Sequence, residues 1–527
     1  MPSQSSDVLI IGAGIAGLMA AHECLDNGRS VTLVDRHDEN RVGGLARTAF
    51  GGMALVGTAL QKRLGIRDTP EIALSDWLSF AEFTDEDEWP RRWAQYYVEQ
   101  SGDRVFDWLR DKGLRFMPAV NWVERGDYLP GNSVPRYHLL WGTGLGLVDR
   151  FIGLLAEHRN RDKLRYVFNC RVDDLITEDG RVAGCRGEIE PTGETREYLG
   201  GVTIVATGGI NGNLDKVRAH WSEAPEELLN GSHPFCNGHL HDVVERHGGV
   251  VTNLEHMWNY AAGIPHPQPH FDGHGLSLIP CKSALWLDHR GRRIGPMPLV
   301  TGFDTHEMCR RLAALEKPWS WQLLNWRIAA KEFAISGSEH NPHIRDSRLL
   351  PFLKETLFGN HRLVRQMQDE SDHFIVAETL PELVARMNAL DGSDHVKLET
   401  IEHSARAFDD NVRRGPAQWN DDQLRRIQHA RAWRSDRLRT CAPKPLLEHP
   451  PLIAIKLRLI TRKSLGGIRT DLSSRALSAA GEPIPDLYAI GEAAGFGGGG
   501  ASGKRSLEGT FLSGCVLSAR AAADGIG

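Results

Sequence analysis

The sequence predicts an α/β fold, a parallel sheet wound by helices, with a second α+β domain inserted into it. Three observations carry this. An apolar run of strand length, Asp7 to Ile11, meets the turn Gly12-Ala-Gly14-Ile-Ala-Gly17, then a helix and a second strand. The same texture returns at the far end, in Leu452 to Ile460, Leu487 to Ile490 and Phe511 to Ala523. Between them, from about Met257 to Arg348, Pro, His and Trp become common and periodicity fails. At 527 residues the chain is too long for one core and calls for roughly two to four units.

Each element has a local reason. Leu18 to Asp26 holds good helix formers and Asn27-Gly28 stops them, after which Ser30 to Val34 reads as strand. Arg67 to Asn132, rich in Trp and charge, reads as helical with excursions. Leu147, Phe151, Leu154 and Leu155 give helical spacing over 147–158. Tyr166 to Arg186 reads as a hairpin turning at Asp179-Gly180, and Val202 to Ala206 as a buried strand ended by Thr207-Gly208-Gly209. The Met257 to Arg348 stretch is expected to form lid-like loops outside any regular sheet, with Trp258, Trp286, Trp319, Trp321 and Trp326 in the inserted domain's core. Thr379 is expected to cap a helix that has Pro381 in its first turn. No internal repeat or low-complexity tail is present.

Composition excludes several classes. A hydrophobic fraction of 41% and a charged fraction of 25% belong to a folded chain. A net charge of −6 leaves no footprint for nucleic acid, and no polybasic run marks an acidic membrane surface. The apolar run from Val8 to Ala21 is too short to span a bilayer and lacks a basic flank for export. The eight cysteines are scattered without a CxxC pair, which predicts reduced thiols in a cytoplasmic protein. His256, His266, His270 and His274 are separated by prolines and do not share a helix face, so no metal site is expected.

Glycine supplies 55 residues, about one in ten against a usual 7% or so, and its placement points to a ligand. Gly12, Gly14 and Gly17 follow a strand and open a helix, and Asp35 ends the next strand. In such a turn the first glycine makes the bend, the second admits a pyrophosphate and the third lets helix and strand touch. The phosphate then lies at the helix N-terminus, and Asp35 accepts from the adenosine ribose. Ala16 within the turn and Arg36 after the acid belong to the same expected dinucleotide site.

Further segments resemble the fumarate reductase and 3-ketosteroid dehydrogenase flavoproteins. Gly43-Gly44-Leu-Ala46-Arg47-Thr-Ala-Phe-Gly51-Gly52 is similar to their second glycine segment, and Ala206-Thr207-Gly208-Gly209 to their third. Leu465 to Gly467, Ile484 to Glu492 and Ser506 to Phe511 resemble their C-terminal flavin segment. The resemblance implies a Rossmann-like FAD-binding domain of glutathione reductase type, with an inserted α+β capping domain. The expected boundaries are 1–256 for the first part of the FAD domain, 257–395 for the cap and 396–527 for the second part. It also implies that Glu492, after Gly491, binds ribityl hydroxyls, and that the amides of Gly509, Thr510, Phe511 and Leu512 face the flavin pyrimidine edge. Relatives that attach flavin covalently use a His where this chain has Leu45, so FAD is expected to be held non-covalently.

The implied reaction is hydride transfer between flavin N5 and a C–C bond beside a carbonyl or carboxylate. Where fumarate reductases hold a dicarboxylate, this chain reads Arg462-Lys463-Ser464-Leu465-Gly466-Gly467 and Arg505-Ser506-Leu507-Glu508-Gly509. Their proton relay is also missing, since Gly291-Arg-Arg-Ile294 runs into Gly295-Pro296. A small-molecule substrate is expected, with a cyclic ketone or enone among the candidates and its identity left open by the resemblance. Ketosteroid dehydrogenases rely on tyrosines and a different C-terminal glycine pattern, and this chain has only eight Tyr, which counts against a close steroid match but not against a bulky cyclic enone or ketone. Candidate catalytic groups are Arg462 and Lys463 near the flavin, Tyr137 or His138 as acid or base, and Tyr260 at the start of the cap. Gly142-Thr-Gly144-Leu-Gly146 lacks an acid at the distance a second nucleotide would need, so electrons are expected to pass to a quinone, oxygen or a partner protein. A flavin oxidase and a flavoprotein that binds without catalysis are the alternatives.

Overall fold

A computed structural model describes residues 5–527. The chain forms two compact units. The first comprises residues up to Ser222, Ser232–Trp258 and Arg462–Gly527; the second comprises Glu223–Gly231 and Asn259–Thr461.

The first unit is built on a sheet whose strands run in the order Arg475–Leu477, Pro483–Ala489, Glu194–Val205, Ser5–Ile11, Val31–Val34 and Leu164–Val167. The strand Ser5–Ile11 lies parallel to both neighbours, with Val8 opposite Val31 on one side and Val202 on the other. Such central parallel strands are covered on both faces, which explains an unbroken apolar run in place of alternation. Leu9 and Ile11 contribute to a core with Val205, Val243 and Leu487. The helix Ile15–Asp26 packs against the C-terminal helix Thr510–Ile526. The hairpin turns at Asp179-Gly180 between Cys170–Glu178 and Arg181–Ile189. A small sheet of Gly52–Ala54, Tyr137–Trp141 and Arg115–Asn121 completes the unit.

The second unit holds a mixed sheet whose strands run in the order Leu285–Leu287, Trp319–Asn325, residues 452–461, residues 259–265, Gly275–Ile279 and Ala334–Ile335. This corrects the expectation of lid-like loops over 257–348. The strand Leu452–Ser464 runs antiparallel to Trp319–Asn325, from Trp319 opposite Arg458 to Asn325 opposite Leu452. A pairing partner so distant in sequence leaves no local periodicity to read. Thr379 caps the helix Leu380–Asp391, accepting from the Glu382 amide, as its sequence requires.

The expected return to the first unit at residue 396 is also corrected, to Arg462. The helix Leu398–Arg414 buries Ile401, Ala405, Phe408 and Val412 in a core with Trp321, Leu323 and Leu452. That apolar face fixes residues 396–461 in the second unit, a choice its amphipathic spacing alone cannot make.

Candidate active site

Three glycines at the first strand–helix turn have three different environments. Gly12 has φ +110°, and a Cβ there would lie 2.5 Å from the Ala206 carbonyl oxygen. At Gly17 a Cβ would lie 2.0 Å from the Gly12 carbonyl oxygen, so helix and strand touch only because it is absent. Around Gly14 nothing lies within 4 Å of the Cβ position. No protein atom explains that glycine, whereas a ligand backing onto the turn does. Gly43 donates to the Ala13 carbonyl at 2.9 Å and bridges Gly14, which places Gly43 and Gly44 beside the same opening. Ala46 is buried, and Arg47 reaches Asp149 at 3.5 Å.

Two helices of this unit start without a capping side chain. Ile15–Asp26 starts at Gly14 and Thr510–Ile526 at Gly509, neither with a side-chain cap nor an acid in the first turn. By contrast Thr69, Asn325, Asp304 and Asp421 cap their own helices with side chains. A helix start left without a capping oxygen favours an anion or a carbonyl acceptor. The open Gly14 cradle and these two helix starts fit an FAD with its pyrophosphate at one and its flavin pyrimidine edge at the other.

Asp35 is tied to the turn: its carboxylate accepts from the Ala13 amide at 2.5 Å and the His37 amide at 2.7 Å. Burial pushes its pKa up against those two bonds. Arg36 is spent on Glu190, with Nη2 at 2.7 Å from Oε1, and its guanidinium stacks 4.0 Å from the Phe235 ring. Thr207 and Gly208 continue from Ala206, and Gly208 backs onto the Cys236 thiol. Cys236 carried no signal in the sequence, because a lone Cys beside a Pro-Phe pair resembles any buried thiol.

The other end gathers charge. Glu492 Oε1 accepts from the Ser464 amide at 3.1 Å, in space left by Gly209, whose Cβ would lie 2.4 Å from the same oxygen. Burial pushes Glu492 up to about 7, with Lys463 opposing the shift. Burial and the neighbouring Arg462 guanidinium bring Lys463 down to about 8. The Lys463 ammonium stands 4.4 Å from the centre of the Phe511 ring, in the first turn of the C-terminal helix. Phe511 also packs against Trp258 and Phe496, with centroids 5.8 and 5.2 Å away. The Trp258 indole donates to Glu508 at 3.0 Å. Trp258 thus belongs to this unit and not to the core of the inserted domain, a correction to the sequence reading. Only the two-unit division shows it, since its neighbours in sequence belong to both.

Gly491 takes φ +63° and donates its amide to Ser518 at 2.9 Å; a Cβ on it would meet Ala16 at 2.9 Å. Contact between the two thereby ties the first motif to the last. The Tyr137 ring lies against Gly52 and Gly509, each of which must be glycine to admit it. Gly51, at φ +93°, backs onto Thr143. Gly144 packs on the Ala46 carbonyl, where a Cβ would lie 2.1 Å away. Contact with protein backbone therefore accounts for that glycine of the Gly142 turn.

His138 is placed elsewhere than expected. It is fully buried, with Nδ1 at 2.6 Å from the Arg136 carbonyl and Nε2 at 2.9 Å from the Thr58 hydroxyl. Burial brings its pKa down to about 4, so the ring is neutral near pH 7, and both its nitrogens are engaged within the protein. The unfolded chain binds a proton near pH 6.5 that the folded chain refuses until about pH 4. Stability is therefore full above pH 6.5 and falls by up to about 3 kcal/mol on acidification through that window. His138→Gln should flatten the unfolding free energy against pH between these values by up to about 1.4 kcal/mol per unit. Urea titrations across that range measure it; an unchanged slope would mean that His138 is not the proton-linked group. Neighbouring Arg136 is buried between Asp68 at 2.8 Å and Asp76 at 2.6 Å.

Tyr260 and three of the four clustered histidines lie in the second unit, while His256 lies in the first. His266 stacks on His274 at 4.4 Å, and His266, Glu339 and His340 are near enough to share an ion. However, His266 Nδ1 accepts the Gln268 amide at 3.0 Å, and His274 Nδ1 accepts the His270 amide at 3.2 Å. In the neutral rings Nε2 then carries the proton and offers no lone pair to a metal.

Fold and site define an FAD-dependent oxidoreductase of two units. The chain belongs to the FAD binding domain family, whose model matches residues 7–512. It is 42% identical over 546 aligned residues to a KsdD-like steroid dehydrogenase of Mycobacterium tuberculosis (strain CDC 1551), covering 99% of this chain and 95% of that one. Among solved structures, the open conformation of a flavocytochrome c3 fumarate reductase matches with a TM-score of 0.72 at 19% identity, over 100% of this chain and 78% of that one. A 3-ketosteroid-Δ4-(5α)-dehydrogenase from Rhodococcus jostii RHA1 matches with a TM-score of 0.65 at 19% identity, over 99% and 96% of the two chains. The protein is accordingly a dehydrogenase or reductase of CH–CH bonds. Among the described residues, no helix is long and apolar enough to cross a membrane.

Proposed function

We propose that the protein is a steroid dehydrogenase acting on the C–C bond beside a ring ketone. The observation that carries this is identity of 42% along nearly the whole chain to a KsdD-like steroid dehydrogenase. Ser506, where the resemblance to fumarate reductases would place a dicarboxylate-binding Arg, supports a ketone over a dicarboxylate.

Bound FAD supplies the hydride acceptor. The chain's own residues do the rest. Gly14 and the first-helix amides hold the pyrophosphate, Asp35 the adenosine ribose and Glu492 the ribityl hydroxyls. Amides of Gly509 to Leu512 meet the pyrimidine edge. Lys463 holds positive charge beside that helix start, where it stabilises negative charge developing on ring or enolate oxygen. Tyr137 and Tyr260 are the proton-transferring candidates, and the unit Asn259–Thr461 is the substrate cap. None of the eight cysteines forms a disulfide, which supports a reducing, cytoplasmic setting.

Anaerobic mixing of the yellow holoprotein with 4-androstene-3,17-dione and its saturated analogues tests the reading. One of these ketosteroids should bleach the flavin or reoxidise its reduced form, whereas succinate and fumarate should leave it unchanged. A flavin indifferent to every ketosteroid would overturn the proposal. Rapid reoxidation in air without another acceptor would identify an oxidase.

A further inference from the structure

The second unit carries a helix whose apolar side faces outward. Leu349–Phe358 has no buried residue. Leu350 is 79% exposed, Phe358 73% and Leu357 56%, with Leu349 and Leu353 also exposed. At about 100° per residue, Leu349, Leu353, Leu357 and Leu350 fall within one arc of roughly 100°, and Lys354 and Phe358 extend it. Phe352, Glu355 and Thr356, the half-buried residues, occupy the opposite side. An ordinary surface helix has the reverse pattern.

The rim of this face is cationic. The short helix Arg434–Arg439 packs alongside, with the Arg439 guanidinium 5.5 Å from the Phe352 ring, and adds exposed Leu438. Arg348 and Lys354 on or beside the first helix, and Arg434 and Arg437 on the second, are all exposed. The nearby acids are neutralised or withdrawn: Glu355 takes His343 at 3.2 Å and Arg362 at 3.7 Å, Asp346 takes Arg345 at 2.7 Å, and Asp436 is buried. Asp369 and Glu370 sit about two turns from Arg362 on the next helix. A chain of net charge −6 therefore presents one basic, leucine-rich face. No polybasic run marks it in the sequence, because the fold assembles it from two separate stretches.

We propose that this face docks the protein on an anionic lipid bilayer, with the leucines of 349–357 and Phe358 in the headgroup–acyl boundary and the arginines on lipid phosphates. An amphipathic helix lying in the interface needs an apolar face and a basic border, and both are present. A second copy of the chain is the poorer occupant, since a two-fold contact would set the two cationic rims against each other. The inference is independent of the substrate assigned above.

Co-sedimentation of the holoprotein with vesicles tests it. The protein should pellet with vesicles of equal parts phosphatidylcholine and phosphatidylglycerol, less with phosphatidylcholine alone, and less again at high salt. Leu350→Asp with Leu357→Asp should weaken partitioning about tenfold or more. Arg434→Glu with Arg437→Glu should weaken it about tenfold on anionic vesicles only. These residues are exposed, so flavin content, circular dichroism and turnover without vesicles should match the parent. Failure of the parent to pellet with anionic vesicles, or pelleting of the leucine variants equal to the parent's, would overturn the proposal. So would a dimer in sedimentation equilibrium that Leu350→Asp dissolves, which would give the face to a second copy.

Discussion

Gly14→Val should yield a folded, colourless protein, whereas Gly17→Ala should yield almost no folded protein at all. The contrast follows from what each missing Cβ would meet. At Gly17 it would lie 2.0 Å from a main-chain oxygen inside the first helix–strand contact, which cannot yield without separating them. At Gly14 it would meet nothing, and the backbone there, φ −66° and ψ 175°, is open to any residue. Only the ligand is displaced. FAD affinity should fall at least about a hundredfold, some 2.7 kcal/mol, with circular dichroism and urea midpoint unchanged. Fluorescence titration of the apoprotein measures it. Acid precipitation of the parent should release all its flavin, since Leu45 stands where a covalent link would need histidine. Wild-type FAD affinity in Gly14→Val would show that the cradle is not the pyrophosphate site.

Lys463→Met should keep its flavin and lose two to three orders of magnitude in turnover, about what one preorganised electrostatic contact contributes. The pH dependence separates this from a packing role. With its pKa brought down to about 8, Lys463 is charged below that pH and neutral above it. Turnover of the parent should accordingly fall as pH rises through about 8. Arginine stays protonated throughout, so Lys463→Arg should retain part of the rate and shift that limb upward. A Met variant with parental turnover, or one that keeps the limb near 8, would move Lys463 to the structural residues around Phe511.

The dinucleotide turn was legible because its pattern is local. Its spacing lies within one strand–helix unit, where Gly17 faces the Gly12 carbonyl, although Gly12 itself backs onto Ala206 and Gly14 onto open space; the capping of Leu380–Asp391 by Thr379 is equally local. The surroundings of His138 were illegible for the opposite reason: Thr58 and Phe106, which enclose it, come from elsewhere in the chain. Trp258 was assigned to the wrong unit because chain order says nothing about Glu508. Likewise the strands between Met257 and Asn325 hid behind prolines and histidines, their partner being Leu452–Ser464.

By itself the sequence determined the cofactor and the class of fold, since backbone that closely approaches a dinucleotide must be glycine at fixed spacings. Tertiary structure alone decided the boundary of the inserted unit, which histidines are buried and neutral, and how Lys463, Glu492 and Phe511 come together. It alone joined the arginines of 434–439 to the leucines of 349–357. Burial and charge proximity depend on residues distant in sequence, and these are what set a pKa, a partner and a docking face.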